Sequence, residues 1–262
     1  MTTRIDEVSA REVSEDAFLD GALTVVQPHR GYRAGIDAVL LAAAAPVGQK
    51  QGERVLDAGA GVGVVGLCIA RRAPAARVTL VENEPELVAL AHGNVSRNGL
   101  GERVSVIDAD VTGSAAALAA AGLSADSFEH VVANPPYYTE GYGRRSRHAI
   151  KAAAHAMPAG SLAHWVKFLT RAATSSGSLT MVHRPDVLPS LLGLLEGRFG
   201  ALKILPLHPR SGEAAVRILI QGRKGSRAPL KLLPGLVLHE KDNRFRPDVA
   251  RILRDGAALP LD

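Results

Sequence analysis

The 262-residue sequence predicts an α/β fold in which a mostly parallel sheet of seven strands carries helices on both faces. Short apolar segments alternate along the chain with helical segments, which is the pattern of successive strand–helix units. A turn near residues 208–212 followed by another apolar segment predicts a closing hairpin, so the last strand is expected to be antiparallel. The seven predicted strands are residues 54–56, 77–81, 104–107, 128–132, 179–182, 202–205 and 215–220.

The helices between these strands follow from apolar periodicity and from the residues at their ends. Pro85 lies in the first turn of the predicted helix 84–98, and Gly99 follows its end, as helix punctuation predicts. An early strand over residues 22–26 precedes the first helix, and a short strand and a polar turn follow residue 229. The other predicted helices are residues 37–45, 114–122, 162–174, 187–195 and 248–254, and one that follows the glycine-rich turn and runs to about residue 72.

Length and composition indicate one cytoplasmic domain. The single cysteine, Cys68, lies in an apolar helical segment, where it fits a small buried hydrophobe in a reducing compartment. The longest apolar stretch, residues 38–47, is about half of a membrane span, so neither a membrane segment nor secretion is expected. We expect a flexible acidic segment over residues 1–20, the main domain over 21–225, and a C-terminal extension over 226–262 that packs on it.

A glycine-rich turn follows the first of the seven strands, in the order Asp57-Ala58-Gly59-Ala60-Gly61-Val62-Gly63. Alternate glycines allow positive φ angles and let a ligand approach the backbone, and the helix that follows offers unpaired N–H groups. These features predict a nucleotide-binding turn. Gly61, Gly63 and Gly66 also have the spacing of a dinucleotide fingerprint, but an acid ahead of the glycines would repel a pyrophosphate.

Glu82 lies at the end of the second of the seven strands, 25 residues after Asp57. A carboxylate at this position can accept hydrogen bonds from both hydroxyl groups of a ribose, and it does so in more than one class of nucleotide-binding site. Glu82 therefore indicates a nucleoside ligand without identifying it.

The stretch Asn134-Pro135-Pro136-Tyr137 follows the fourth strand, where open α/β sheets place their chemistry. Two prolines stiffen the chain there, and a proline keeps its C=O while it lacks an N–H. The Asn134 side chain and the Pro135 carbonyl are thus two neighbouring acceptors, which suits an exocyclic amine with two N–H donors. Tyr137 adds a flat face on which a planar base can stack.

Asn-Pro-Pro-Tyr resembles the signature of S-adenosylmethionine-dependent methyltransferases that modify amino or amide nitrogens. The resemblance implies a Rossmann-like class I methyltransferase fold, S-adenosyl-L-methionine as cofactor, and a catalytic corner of Asn134, Pro135 and Tyr137. It also implies that Asp57 lies beside the amino acid moiety of the cofactor and that Asp110 accepts from its adenine amine. The residues it assigns to the cofactor are Asp37, Asp57, Gly59, Gly61, Gly63, Glu82, Asp110 and Asn134.

Residues 35–41 resemble the family segment that closes over the methionine end of the cofactor, while Asp37 can equally serve as the N-cap of its helix. Other stretches resemble the bacterial family that includes the enzyme methylating N6 of an anticodon-adjacent adenine in valine tRNA. They are residues 182–185, 208–210 and 222–225, and the likeness as a whole covers roughly residues 20–240.

Positive charge is concentrated after the Asn134 corner and toward the C-terminus. The chain has a formal net charge of +5, and residues 142–171 hold six Lys or Arg and no acid. Residues 198–231 hold eight Lys or Arg against Glu213 alone. Such a face suits a polyanion, so we expect RNA as the partner, and the resemblance implies tRNA in particular. The residues expected to contact it are Tyr138, Arg144, Arg145, Arg147, Lys151, Arg210, Arg223 and Lys224.

The predicted reaction is methyl transfer to the N6 amine of adenine in RNA. A protein glutamine or asparagine amide and other bases also carry two N–H donors, so these acceptors stay open. A NAD-dependent oxidoreductase would use the same glycine turn but would leave the Asn-Pro-Pro-Tyr corner unexplained, and an RNA-binding module with a vestigial cofactor site is the remaining alternative. The sequence has no zinc-like Cys/His cluster and no Gly-x-x-x-x-Gly-Lys phosphate loop, so no metal is expected.

Overall fold

The computed structural model describes residues 13–30, 33–136 and 161–262, together with the backbone of residues 138–139 and 156–157. Strands and helices alternate through most of this part of the chain, as predicted. The strands are β1 Val13–Phe18, β2 Leu23–Pro28, β3 Arg54–Ala58, β4 Arg77–Glu82, β5 Val104–Asp108, β6 Phe128–Ala133, β7 Tyr138–Thr139, β8 Ala156–Met157, β9 Ala173–His183, β10 Phe199–His208, β11 Arg217–Lys224, β12 Lys231–Leu232 and β13 Leu236–Val237. The helices are α1 Ile36–Ala44, α2 Val64–Arg72, α3 Pro85–Arg97, α4 Ala115–Ala120, α5 Ser161–Ala172, the short 3-10 helix Pro185–Val187, α6 Leu188–Leu195 and α7 Pro247–Asp255.

The central sheet has the strand order β12-β10-β11-β9-β6-β3-β4-β5, and β13 also pairs with β10. Seven of its strands are the predicted ones. Among the described strands of this sheet, only β11 runs opposite to its neighbours, and it lies between β9 and β10 instead of forming the outermost strand. The predicted mostly parallel sheet with an antiparallel last strand is therefore confirmed, and the two extra strands, β12 and β13, are two-residue segments that run alongside β10.

Strand β9 begins earlier than predicted, at Ala173, directly after α5. Its first half is polar, so apolar periodicity gives no signal there. The backbone nevertheless pairs with β6, where His130 lies opposite Ser178 after a shift in register. Ser176 has a φ of 62°, which is consistent with a local irregularity in the strand. Backbone pairing rather than side-chain pattern therefore extends this strand.

The N-terminal hairpin is a second departure from the prediction. β1 pairs antiparallel with β2 along its whole length, so the expectation of a flexible segment through residue 20 is wrong for residues 13–18. Residues 1–12 lie outside the described part of the chain. Leu23 and Val25 of β2 are buried in the core, and β2 in turn holds β1 in place through the backbone ladder.

Two apolar cores lie on opposite faces of the sheet. Helices α1, α2, α3 and α7 contribute to one core, and α4, α5 and α6 to the other. Cys68 of α2 is buried in the first core, and burial raises the pKa of its thiol to about 12, so the thiol stays protonated. Val249 and Ile252 of α7 lie in the same core. No helix among the described residues is long and apolar enough to cross a membrane.

Candidate active site

Four parallel strands end together on the side of the sheet that their carboxyl ends form, which we call the active-site edge. Ala133 of β6 is paired with Ala58 of β3, Ala58 with Val81 of β4, and Glu82 of β4 with Asp108 of β5. Since neighbouring strands lie about 4.8 Å apart, these four ends span roughly 14 Å, which is the scale of a nucleoside with an attached amino acid. The edge brings together the predicted corner, the glycine turn and the carboxylates at the ends of β4 and β5, as expected.

Asp57 joins strand β3 to the start of helix α2. Its side chain is 1% exposed, and Oδ2 accepts a hydrogen bond from the Gly66 backbone N–H at 2.9 Å. Burial raises the pKa of this carboxyl to about 7; the Gly66 bond acts against that rise, and the nearby Glu82 charge adds to it. A Cβ on Gly66 would lie 2.2 Å from Leu80 Cδ2, so glycine is required for this close packing. The observed contact of Asp57 is thus to α2.

The glycine turn is held by its conformation and by a tryptophan. Gly59, Gly61 and Gly63 all have positive φ, at 63°, 57° and 94°. A Cβ on Gly59 would lie 2.3 Å from the Trp165 ring, which is buried against the turn from α5. Trp165 is therefore a packing neighbour of the site, and the sequence analysis did not identify it as one.

Glu82 is fixed by three backbone donors. Its Oε2 accepts from the Gly61 N–H at 2.8 Å, and its Oε1 accepts from the N–H groups of Asn83 and Glu84 at 2.9 and 3.0 Å. A carboxylate offers about four lone-pair positions, so these bonds orient the group and leave further accepting capacity. The carboxylate is 8% exposed at the end of β4, in the place expected for a ribose-binding acid.

The backbone donors of the turn decide which nucleotide it suits. Glu82 takes the Gly61 N–H, Asp57 takes the Gly66 N–H, and the Ala60 N–H donates to the Val81 carbonyl at 2.9 Å. A pyrophosphate site needs such donors to face the ligand, whereas these three donate to acceptors of the protein. The turn therefore favours a ligand with a neutral nucleoside and an amino acid end, such as S-adenosylmethionine, over a dinucleotide.

Asp110 lies two residues beyond the end of β5 and is exposed. Its Oδ1 accepts from the Thr112 N–H at 2.8 Å and from the Thr112 hydroxyl at 2.7 Å. These bonds fix the side chain in a tight turn at the active-site edge. An acid held in this way can accept from an adenine amine, which is the role the resemblance implies for it.

At the predicted catalytic corner, Asn134 is half-buried, Pro135 is buried and Pro136 is exposed. Tyr137, Arg144, Arg145, Arg147 and Lys151 lie outside the described residues, so their predicted roles stay predictions. Tyr138 is described only through its backbone, which pairs with Ala156 between the short strands β7 and β8.

Asp37 makes an ion pair instead of capping its helix. Gly35 is the N-cap of α1, and Asp37 lies in the first turn, so the N-cap interpretation is wrong. Its Oδ2 accepts from Arg217 Nε at 2.7 Å. Because β11 is antiparallel, its first residue, Arg217, lies at the active-site edge. The sequence analysis missed Arg217, since its partner is 180 positions away.

His183 is a second residue that the sequence analysis missed. It ends β9 at the same edge, is 3% exposed, and accepts the Arg184 N–H at Nδ1 over 2.8 Å. Burial lowers the pKa of His183 to about 4, so the imidazole is neutral and carries its proton on Nε2. In the sequence, His183 directly follows the predicted strand 179–182, and this position could have identified it as a residue of the site.

The basic residues divide between the two edges of the sheet. Arg210 follows β10 at the active-site edge and pairs with Glu213 at 3.3 Å. Arg223 and Lys224 end the antiparallel β11 and therefore lie at the opposite edge. Lys224 Nζ donates to Asp126 Oδ1 and to the Ala173 carbonyl, each at 2.7 Å. The prediction that Arg223 and Lys224 share an RNA-binding face with the corner is thus wrong.

Comparison with known proteins assigns the chain to a family. The family model described as methyltransferase small domain matches residues 34–200. A tRNA1(Val) (adenine(37)-N6)-methyltransferase of Pasteurella multocida is 25% identical over 245 residues, which cover 88% of this chain and 92% of that protein. Enzymes of the same name from Aeromonas hydrophila and Escherichia coli are 34% and 36% identical, but the alignments span 44% and 42% of those proteins and 43% and 42% of this chain.

Solved structures agree with the fold. A predicted O-methyltransferase of Agrobacterium tumefaciens aligns with a TM-score of 0.73 at 33% identity, covering 86% of this chain and 98% of that one. The TYW2 protein of Pyrococcus horikoshii, solved in complex with MeSAdo, shares the fold with a TM-score of 0.53 at 13% identity over 82% of this chain and 72% of that one. With the glycine turn, Glu82 and the corner at one edge of such a sheet, the chain belongs to the methyltransferase small domain family and is an S-adenosylmethionine-dependent methyltransferase.

Proposed function

We propose that the protein methylates the exocyclic N6 amine of an adenine in RNA, most specifically in tRNA, in the cytoplasm. The observation that carries this proposal is the corner at the end of β6, where the Asn134 side chain and the Pro135 carbonyl follow a strand that is paired directly with β3 of the glycine turn. Two adjacent carbonyl acceptors match the two N–H bonds of an exocyclic amine.

The role of this corner is to orient the amine of the substrate for reaction. An aromatic amine is a poor nucleophile because its lone pair is delocalised into the ring. When Asn134 and Pro135 accept its two N–H bonds, the nitrogen is favoured in a pyramidal form with its lone pair free to attack. The cofactor, when bound, supplies an electrophilic methyl group on a sulfonium. The same two carbonyls then stabilise the positive charge that develops on the nitrogen, so positioning and electrostatics carry the acceleration.

The number of hydrogen-bond donors on the acceptor group favours nitrogen over oxygen as the methylated atom. The Agrobacterium relative is described as a predicted O-methyltransferase, whereas the Pasteurella, Aeromonas and Escherichia relatives are named as adenine-N6-methyltransferases. A hydroxyl has a single O–H donor and would leave one of the two corner carbonyls unmatched. The nitrogen acceptor therefore uses the corner more completely, and the names of those three relatives favour a tRNA adenine.

An amide of a protein glutamine or asparagine also carries two N–H donors, so a direct assay must separate it from RNA. Unmodified tRNA and a cell protein fraction are each incubated with the enzyme and methyl-labelled cofactor, and the products are digested and identified by mass. We expect label in N6-methyladenosine. Label in a methylated amide and none in tRNA would replace this proposal with a protein acceptor, and label in a ribose would contradict the corner chemistry.

A further inference from the structure

Two asparagines of α3 form hydrogen bonds with the backbone of β2 like those that a neighbouring strand would form. Asn98 accepts the Thr24 N–H at 2.9 Å and donates to the Thr24 carbonyl at 2.8 Å. Asn94, one helical turn earlier on the same face, accepts the Val26 N–H at 2.8 Å and donates to the Val26 carbonyl at 2.9 Å. Because β1 pairs with the other edge of β2, these side-chain amides satisfy backbone groups that would otherwise lack a partner.

The two asparagines differ in their remaining donor. The second N–H of the Asn98 side-chain amide donates to the backbone carbonyl of Asn94 at 2.8 Å, within the same helix. The second Asn94 N–H donates to the Val62 carbonyl at 3.0 Å, inside the glycine turn. Asn94 is 0% exposed, and its amide therefore joins α3, the N-terminal hairpin and the cofactor turn in one buried contact.

The hairpin leads from β2 to the segment that enters α1. Gln27 accepts the Ala34 N–H at 2.9 Å and donates to Asp16 at 2.8 Å, and Arg33 donates to the Pro28 carbonyl at 2.8 Å. These contacts hold residues 33 and 34, just before the start of α1, against the end of β2. The residues that precede α1 are thus joined to the hairpin by side-chain hydrogen bonds.

We propose that Asn94 is a positioning residue for the S-adenosylmethionine site. The peptide of Val62 lies between Gly61 and Gly63, both at positive φ, and glycine is the residue type whose backbone is least restrained. Glu82 holds the Gly61 N–H on one side of this peptide, and Asn94 holds the Val62 carbonyl on the other. The turn is therefore organised before the cofactor arrives, and the cofactor does not have to supply that ordering itself.

Matched variants separate positioning from simple stability. Asn94→Ala and Asn98→Ala each remove two bonds to β2, but only Asn94→Ala releases the Val62 carbonyl. Both should lower the melting temperature. By isothermal calorimetry below that temperature, we expect Asn94→Ala to raise the Kd for S-adenosylhomocysteine about tenfold or more, as for one buried hydrogen bond left unmade, and Asn98→Ala to change it less than about threefold. Equal effects of the two variants, or an unchanged Kd in folded Asn94→Ala, would overturn the proposal.

Hydrogen exchange of backbone amides in the wild-type protein gives a test that does not depend on how well a variant folds. The Val26 N–H donates to Asn94 Oδ1, so its protection reports the same contact from the hairpin side. Coupling is reciprocal, so S-adenosylhomocysteine should slow exchange of Val26 as well as of the turn amides. Protection of the turn with no change at Val26 would refute a role for Asn94. This result concerns the cofactor site alone and is independent of which acceptor is methylated.

Discussion

Glu82→Gln keeps the shape of the side chain at the end of β4 but replaces one acceptor oxygen with an NH₂ donor. The Glu82 carboxylate accepts N–H bonds from Gly61, Asn83 and Glu84 at 2.8, 2.9 and 3.0 Å. A glutamine accepts on one oxygen only, so in either orientation at least one of these N–H groups faces another donor. Leaving a buried donor unpaired costs about 1–3 kcal/mol of folding free energy.

Cofactor binding should suffer as well, because the variant also lacks a charged acceptor for the ribose. A hydrogen bond to a charged group contributes about 1.5–3 kcal/mol, so the Kd for S-adenosylhomocysteine should weaken roughly 100-fold. At a ligand concentration about 100 times the wild-type Kd, the stabilisation falls from about 2.7 to about 0.4 kcal/mol. For a chain of this length, the ligand-induced rise in melting temperature then falls from about 5–11 °C to about 1–2 °C.

The assay is thermal unfolding with and without S-adenosylhomocysteine. Glu84→Gln is the matched control, since it makes the same charge change two residues away on an exposed side chain. A wild-type thermal shift in Glu82→Gln would refute the assignment of this carboxylate to the cofactor. Stabilisation of the wild type by NAD would contradict the inference that the turn favours S-adenosylmethionine over a dinucleotide.

Three further predictions concern the corner, the RNA face and the response to pH. Asn134→Ala should slow single-turnover methyl transfer about 100-fold while the Kd for S-adenosylhomocysteine stays near wild type; an unchanged rate would reduce the corner to a structural turn. Arg210→Glu, at the active-site edge, should weaken tRNA binding and lower its salt dependence, whereas Arg223→Glu, at the opposite edge, should do neither; equal effects would contradict an RNA-binding face confined to the active-site edge. Burial lowers the pKa of His183 from 6.5 to about 4, so between these values the unfolded chain takes up a proton that the folded protein refuses, and stability falls as pH falls. Asp57, whose pKa is raised, opposes this trend, so the comparison is with His183→Gln, which should recover about 2 kcal/mol of the loss at about pH 5 in denaturant titrations; the same fall in stability with pH in both proteins would disprove it.

Local chemistry accounts for what the sequence predicted correctly. The order of strand–helix units follows from apolar runs and end signals that lie within a few residues of each element. The glycine turn and Glu82 are found in the same way, because a parallel strand followed by a helix always brings the end of the strand to one edge. The corner at Asn134 needs only its own residues to be recognised, and the family comparison agrees with the methyltransferase interpretation.

The tertiary structure decided which polar groups meet. The basic stretch over residues 198–231 is continuous in sequence, but the reversal of β11 sends Arg210 and Arg223 to opposite edges of the sheet. Residues 13–18, only half of which are apolar, become a strand because β2 offers them a backbone ladder. Asp37 meets Arg217, and Asn94 meets Val62, across long separations in the chain. Partners of this kind are selected by strand direction and packing, which no local preference of the chain encodes.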